Sequence, residues 1–219
     1  MSSNEPTGTS DLALLTPVEA RILGCLVENE STTPEQYPLT ENAIVVAANQ
    51  KTNREPVMEL SSGDVGHALR QLEPRGLVRS VHGARAQRYE HRFDKAYSVT
   101  AQQQALLALL LLRGPQTLNE LVTRTERMTK FASADDARHA LERLAERDAP
   151  LVVRLPRAPG QREERWAQLL TGPVDPALLV ARAEREPEAR GGGALEARLE
   201  ALEARVAVLD PALAARDGG

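Results

Sequence analysis

Ser61-Ser62-Gly63-Asp64-Val65-Gly66-His67-Ala68-Leu69-Arg70-Gln71-Leu72 begins a stretch that runs through Arg75-Gly76-Leu77-Val78 and closes on Arg88-Tyr89-Glu90-His91-Arg92-Phe93. Ser61 is suited to cap a helix, and Asp64 adds a carboxylate to the first turn, where the helix dipole favours negative charge. Val65, Ala68, Leu69 and Leu72 recur at i, i+3, i+4 and i+7, so one face of that helix is apolar. His67, Arg70 and Gln71 lie on the opposite face. Beyond Gly76 the period changes to two, with Leu77 and Arg79 alternating with Val78 and Ser80. Val81-His82-Gly83-Ala84 turns the chain, and Arg88–Phe93 returns as a second strand. A helix followed at once by a basic hairpin predicts the third helix and wing of a winged helix-turn-helix. A fold of this kind does not by itself establish DNA binding.

Working outward, residues 1–10 carry no structural signal and read as a disordered tail. Thr16-Pro17-Val18-Glu19 has Thr as cap, Pro at the first helical position and Glu three residues on, a capping box. That helix turns Ile22, Leu23, Leu26 and Val27 inward and is expected to end near Glu30. Ser31–Leu39, with Pro34 and Pro38, is a loop. Thr40 opens a second helix bearing Ile44, Val45, Ala47 and Ala48 toward Lys51, and Asn53-Arg54-Glu55-Pro56 breaks it.

The plan then repeats. Thr100-Ala101-Gln102-Gln103 caps an apolar helix, Ala105–Leu112, and Thr117-Leu118-Asn119-Glu120 caps a shorter one with Leu121 and Val122. Ser61, Asp64, Val65, Ala68, Leu69 and Leu72 correspond at one offset to Ser133, Asp136, Ala137, Ala140, Leu141 and Leu144. Leu77-Val78 corresponds to Leu151-Val152, and Arg165–Leu169 returns as the second hairpin strand. The expected class is α+β, mainly α: one winged helix over residues 11–95 and another over 96–172. Residues 173–193, with Pro187 and Gly191-Gly192-Gly193, read as a linker. In residues 194–209, Leu195, Leu199, Leu202, Val206 and Leu209 form an a/d seam. Two heptads are too short to be stable alone, so the segment either zips with a second copy in a homodimer or docks on its own chain. Residues 210–219 are a tail.

The net charge of −4 and pI near 5.7 supply no overall pull toward nucleic acid or anionic membrane. The distribution is uneven, because Arg70, Arg75, Arg79, Arg85, Arg88, Arg92 and Lys95 cluster within residues 61–95. Cys25 is the only cysteine, which excludes an intrachain disulfide and suits a reducing cytoplasm. Residues 1–10 lack the apolar core of a signal peptide, and the run Ala105–Leu112 falls far short of the roughly 20 residues a membrane span needs. Aromatic residues make up 3%, too few for a single-strand stacking platform. No phosphate-binding glycine loop, nucleophile elbow or metal-ligand spacing occurs, so neither an enzyme nor a cofactor or metal is expected.

Several strings closely resemble a known family. Leu15-Thr16-Pro17-Val18-Glu19-Ala20-Arg21-Ile22-Leu23-Gly24-Cys25-Leu26-Val27-Glu28 is the longest, followed by Thr33–Thr40, Asn49-Gln50-Lys51-Thr52-Asn53-Arg54-Glu55-Pro56-Val57, Tyr89–Phe93 and Arg113–Thr117. Together, over roughly Leu15–Leu170, they resemble the YceH family of uncharacterised bacterial proteins. The resemblance implies tandem winged helices and brings no activity with it. Ala48 departs from the second cysteine that relatives often carry, and Pro74 implies that the third helix ends early.

Two functional readings follow. In the first, double-stranded DNA is the partner: His67, Arg70 and Gln71 enter the major groove, where Arg pairs with guanine and Gln with adenine. Arg85 and Arg88 of the wing then meet phosphates; Lys51, Asn53 and Arg54 just before the third helix either reach phosphates too or, for the Asn and Arg residues, cap helix ends and hold the long loop. The alternative is a protein-docking or dimerisation module without a nucleic-acid ligand, consistent with the balanced charge of residues 133–170. His82 and His91 either face one another across the hairpin or, the simpler reading, lie on the wing surface, and Cys25 reads as a small core residue.

Overall fold

The computed structural model describes residues 13–82, 86–157 and 163–174. Both tails, Arg85 and the Leu195–Leu209 seam lie outside the described residues.

The first copy comprises α1 (Pro17–Thr32), β1 (Leu39–Thr40), α2 (Glu41–Ala48), α3 (Ser62–Leu72), β2 (Val78–His82) and β3 (Gln87–His91). A short α4 (Phe93–Tyr97) leads to the second copy: α5 (Ala101–Arg113), β4 (Gln116–Thr117), α6 (Leu118–Thr125), α7 (Ala134–Ala145), β5 (Val152–Leu155) and β6 (Arg165–Gln168). Each copy has an antiparallel three-stranded sheet in the same order, β1-β3-β2 and β4-β6-β5. Three helices with such a sheet and wing form a winged helix. The chain therefore holds two in tandem, within one compact unit that ends at Val174.

The expected caps form. Thr16 and Glu19, Ser61 and Asp64, Thr100 and Gln103, and Thr117 and Glu120 each exchange both capping-box bonds, so the orphan first-turn N–H groups are satisfied locally. α3 ends at Leu72, ahead of Pro74, whose ring cannot continue a helix ladder. Gly76 then turns at φ 68°, a conformation costly for any residue with a Cβ.

α1 buries more than its expected stripe. Every residue from Glu19 to Glu28 is buried, because the far side of α1 packs against α5, whose residues Gln103–Leu112 are likewise buried. Ile22, Leu23 and Leu26 join Leu106, Leu107 and Leu110 in one core running through both copies. Gly24 lies at the tightest point: a Cβ there would stand 2.8 Å from Leu112 Cγ. Leu15 N donates to Leu170 O at 2.8 Å, so the start of the first copy is also joined to the end of the second, and Arg147 Nη1 donates to Tyr97 O at 2.8 Å on the α4 connection.

His82 and His91 do not face one another across the wing. The register sets His82 opposite Gln87 and His91 opposite Val78. His91 turns inward instead. Its Nε2 meets Glu30 Oε2 at 2.8 Å while Nδ1 accepts from Phe93 N at 3.2 Å, leaving the proton on Nε2. No described helix is long and apolar enough to cross a membrane.

Candidate nucleic-acid interface

α3 is anchored by Val65, Ala68, Leu69 and Leu72, all buried in the core. That fixes its rotation and leaves His67, Arg70 and Gln71 exposed on the outer face. Among the described residues Arg70 makes no ion pair within 4 Å. Its Nη1 does lie over Gly66, where a Cβ would stand 3.3 Å from it and 3.2 Å from Glu41 Oε2. Tyr89 of β3 borders the same notch. Burial raises the pKa of its hydroxyl, and the carboxylates of Glu41 and Glu73 raise it further, with Arg70 opposing them.

The carboxylates around α3 are engaged. Asp64 accepts from Ser61 Oγ at 2.6 Å and Ser61 N at 2.8 Å, bonds that hold it below the ordinary carboxylate range. Glu73 accepts from Ser80 N at 2.8 Å and is also lowered by Ser80. Glu90 bridges Arg79 at 2.9 Å and Arg92 at 3.3 Å. The wing is thus largely self-neutralised.

Two of the expected phosphate contacts are structural. Arg54 is buried, at 4% exposure, with Nη2 on Glu28 Oε2 at 2.5 Å and Nε on Ala47 O at 3.1 Å. A guanidinium so enclosed cannot reach a phosphate, which corrects its assignment to the interface. Arg88 is only half-buried, but its Nη1 spans the carbonyls of Pro38 at 2.6 Å and Gln36 at 3.1 Å, holding the loop before β1.

The reason is the long connection between α2 and α3. Asn49 closes it by exchanging two bonds with Leu60, at 2.8 and 2.7 Å. Arg21, at 1% exposure, donates to Ala48 O at 3.0 Å and Pro56 O at 2.5 Å. Asn53, at φ 65°, takes Arg113 Nη2 on its Oδ1 at 2.6 Å. Asn53 thus serves the loop with its side-chain oxygen, whereas Lys51 stands exposed at the tip. Polar residues spaced along a loop do not reveal which of them bond inward. Arg21 gave no signal as a loop anchor because it lies amid the apolar residues of α1.

Cys25 is fully buried, and desolvation pushes its thiol up to about 11, so it is a packing residue rather than a nucleophile. Among the described residues no group of His, Cys, Asp and Glu could hold a metal ion.

Residues 15–161 match the family model described as "Protein of unknown function, DUF480". The UPF0502 protein Smlt0097 of Stenotrophomonas maltophilia (strain K279a) is 57% identical over 206 residues, covering 94% of this chain and 92% of its own. The UPF0502 protein XCC4136 of Xanthomonas campestris pv. campestris (strain ATCC 33913 / DSM 3586 / NCPPB 528 / LMG 568 / P 25) is 55% identical over 213 residues, 95% of each chain. The UPF0502 protein mll4256 of Mesorhizobium japonicum is 52% identical over 210 residues, 96% of this chain and all of its own. Such identity across nearly the whole length means that this chain belongs to the DUF480 (UPF0502) family of bacterial proteins.

Proposed function

We propose that the first winged helix binds double-stranded DNA, with α3 in the major groove, and that the protein is a non-enzymatic, cytoplasmic regulator. The observation that carries this reading is the open face of α3. His67, Arg70 and Gln71 are exposed at i, i+3 and i+4, while Glu90 is paired with Arg79 and Arg92 and Asp64 and Glu73 are held by Ser61 and Ser80. With Arg54 and Arg88 committed to the fold, phosphate contacts fall to Arg70, Lys51 and the wing tip. A protein-docking module is the second reading, favoured by the self-neutralised wing.

The test is fluorescence anisotropy of the full chain on random duplex DNA across a salt series. About three phosphate contacts give a log–log slope near −2.7. Arg70→Ala with Lys51→Ala is expected to flatten that slope by about 2 and weaken binding at least tenfold. Absence of binding at low salt, or a slope indifferent to both substitutions, would leave protein docking as the better account.

A further inference from the structure

Between α6, α7 and the β5–β6 wing lies a groove of about 230 Å³. Arg138 of α7, Arg154 of β5 and Arg157 just beyond it line this groove together with Trp166 of β6, Asn119 and two glutamates.

The strand registers give the equivalent positions in the first copy. Trp166 lies opposite Gln116 and Arg154, as Tyr89 lies opposite Leu39 and Ser80. The offset of the third helices sets Arg138 at the place of Gly66. Two uncharged positions of the first copy, Gly66 and Ser80, are thus arginines in the second, facing one groove.

Donors there exceed acceptors. Arg138 places one nitrogen on Asp135 Oδ1 at 2.7 Å, and Arg154 one on Glu164 Oε2 at 3.5 Å, leaving their other N–H groups. Glu163 receives the Asn119 amide at 3.2 Å. Among the described residues Arg157 makes no hydrogen bond or ion pair. Trp166 is only 5% exposed, and its side chain forms part of the groove's lining.

We propose that this groove binds a small phosphate-bearing ligand. Three guanidiniums from separate positions offer more donors than the two oxygens of a carboxylate can accept. A phosphate presents three oxygens and up to two charges, and Arg forks match them. The groove's volume, about 230 Å³, is smaller than the ~300–1,000 Å³ of drug-sized pockets, so it suits a pyrophosphate or sugar phosphate.

Trp166 is the only tryptophan in the chain, so its emission and its single indole NMR cross-peak report directly on the groove. Inorganic pyrophosphate is titrated into the full chain at constant ionic strength. The expected result is a saturable change in both signals, weakened about tenfold or more by Arg157→Gln and by Arg138→Gln. Arg143→Gln, an exposed change on α7 outside the groove, should leave it unaltered. Absence of saturation, or saturation indifferent to Arg138 and Arg157, overturns the proposal. So does an Arg157-dependent response to duplex DNA but not to pyrophosphate, since the phosphate would then belong to a nucleic-acid backbone.

Discussion

Arg88 and Arg165 hold equivalent places in the two winged helices and perform the same task. Each donates from Nη1 to the carbonyl of the proline before its first strand, Pro38 at 2.6 Å and Pro115 at 3.1 Å. The connections between the second and third helices have diverged. In the second copy Thr125 folds its hydroxyl onto Leu121 O, and Met128 N and Thr129 N return to Thr125 O. In the first, a longer loop is carried on Arg21, Arg54 and Asn49. The sheet-to-loop framework is therefore common to the copies, while the surfaces beside it are separately built. One copy presents an open helix face, and the other a groove rich in arginine.

The contrast is tested hardest at Arg54. Arg54→Ala leaves Glu28 nearly buried and without its cation, an arrangement that costs about 3–5 kcal/mol. Urea denaturation should show that loss, with hydrogen exchange accelerated first around residues 49–57. Arg138→Ala in the second copy removes a half-exposed ion pair and should change stability by about 0.5 kcal/mol or less. Equal effects would mean that the first loop is not built on its arginine.

Local signals made much of this fold legible. Capping boxes depend on residues three apart, and helix faces on a period of 3.6, so α1, α3, α5, α6 and α7 could be read directly. The two-residue strands β1 and β4 and the short α4 could not, because each exists only through pairing or packing with distant chain. The open face of α3 was legible for the same reason as its buried one, since His67, Arg70 and Gln71 lie opposite the apolar stripe. The sequence left Arg54 open between phosphate contact and loop anchor and assigned Arg88 to phosphate, because solvated and inward-bonded arginines look alike until the fold brings Glu28 or Pro38 within reach. The groove of the second copy requires the β5–β6 register, which no single segment encodes.

The junction between the copies gives a middle-sized effect. Gly24→Ala gains about 1 kcal/mol of helix propensity, but the new Cβ would meet Leu112 Cγ at 2.8 Å and Cδ2 at 2.9 Å in a filled core. Overpacking of this kind costs about 1–3 kcal/mol, so a net loss of about 1 kcal/mol is expected. A double-mutant cycle with Leu112→Ala should show strong coupling, because the smaller side chain relieves the clash. Strict additivity would mean that α1 and α5 are not packed as tightly as Gly24 implies.

The smallest difference lies in the third-helix caps. Ser61 gives its hydroxyl to a reciprocal box with Asp64, whereas Ser133 accepts from Asp136 N at 3.1 Å without a return bond. Ser61→Ala is expected to cost about 1 kcal/mol, and Ser133→Ala less, by thermal or urea unfolding at pH 7. The pH dependence identifies the source. Asp64 is held below its ordinary value of 3.8 in the folded chain, so the unfolded state takes up its proton first as the pH falls. Its contribution is therefore complete above that ordinary value and is lost as the pH descends through the lower folded one. The penalty for Ser61→Ala should accordingly shrink below about pH 4. A penalty that persists unchanged into acid would assign the stability to the serine cap alone and remove the one distinction between the two helix starts.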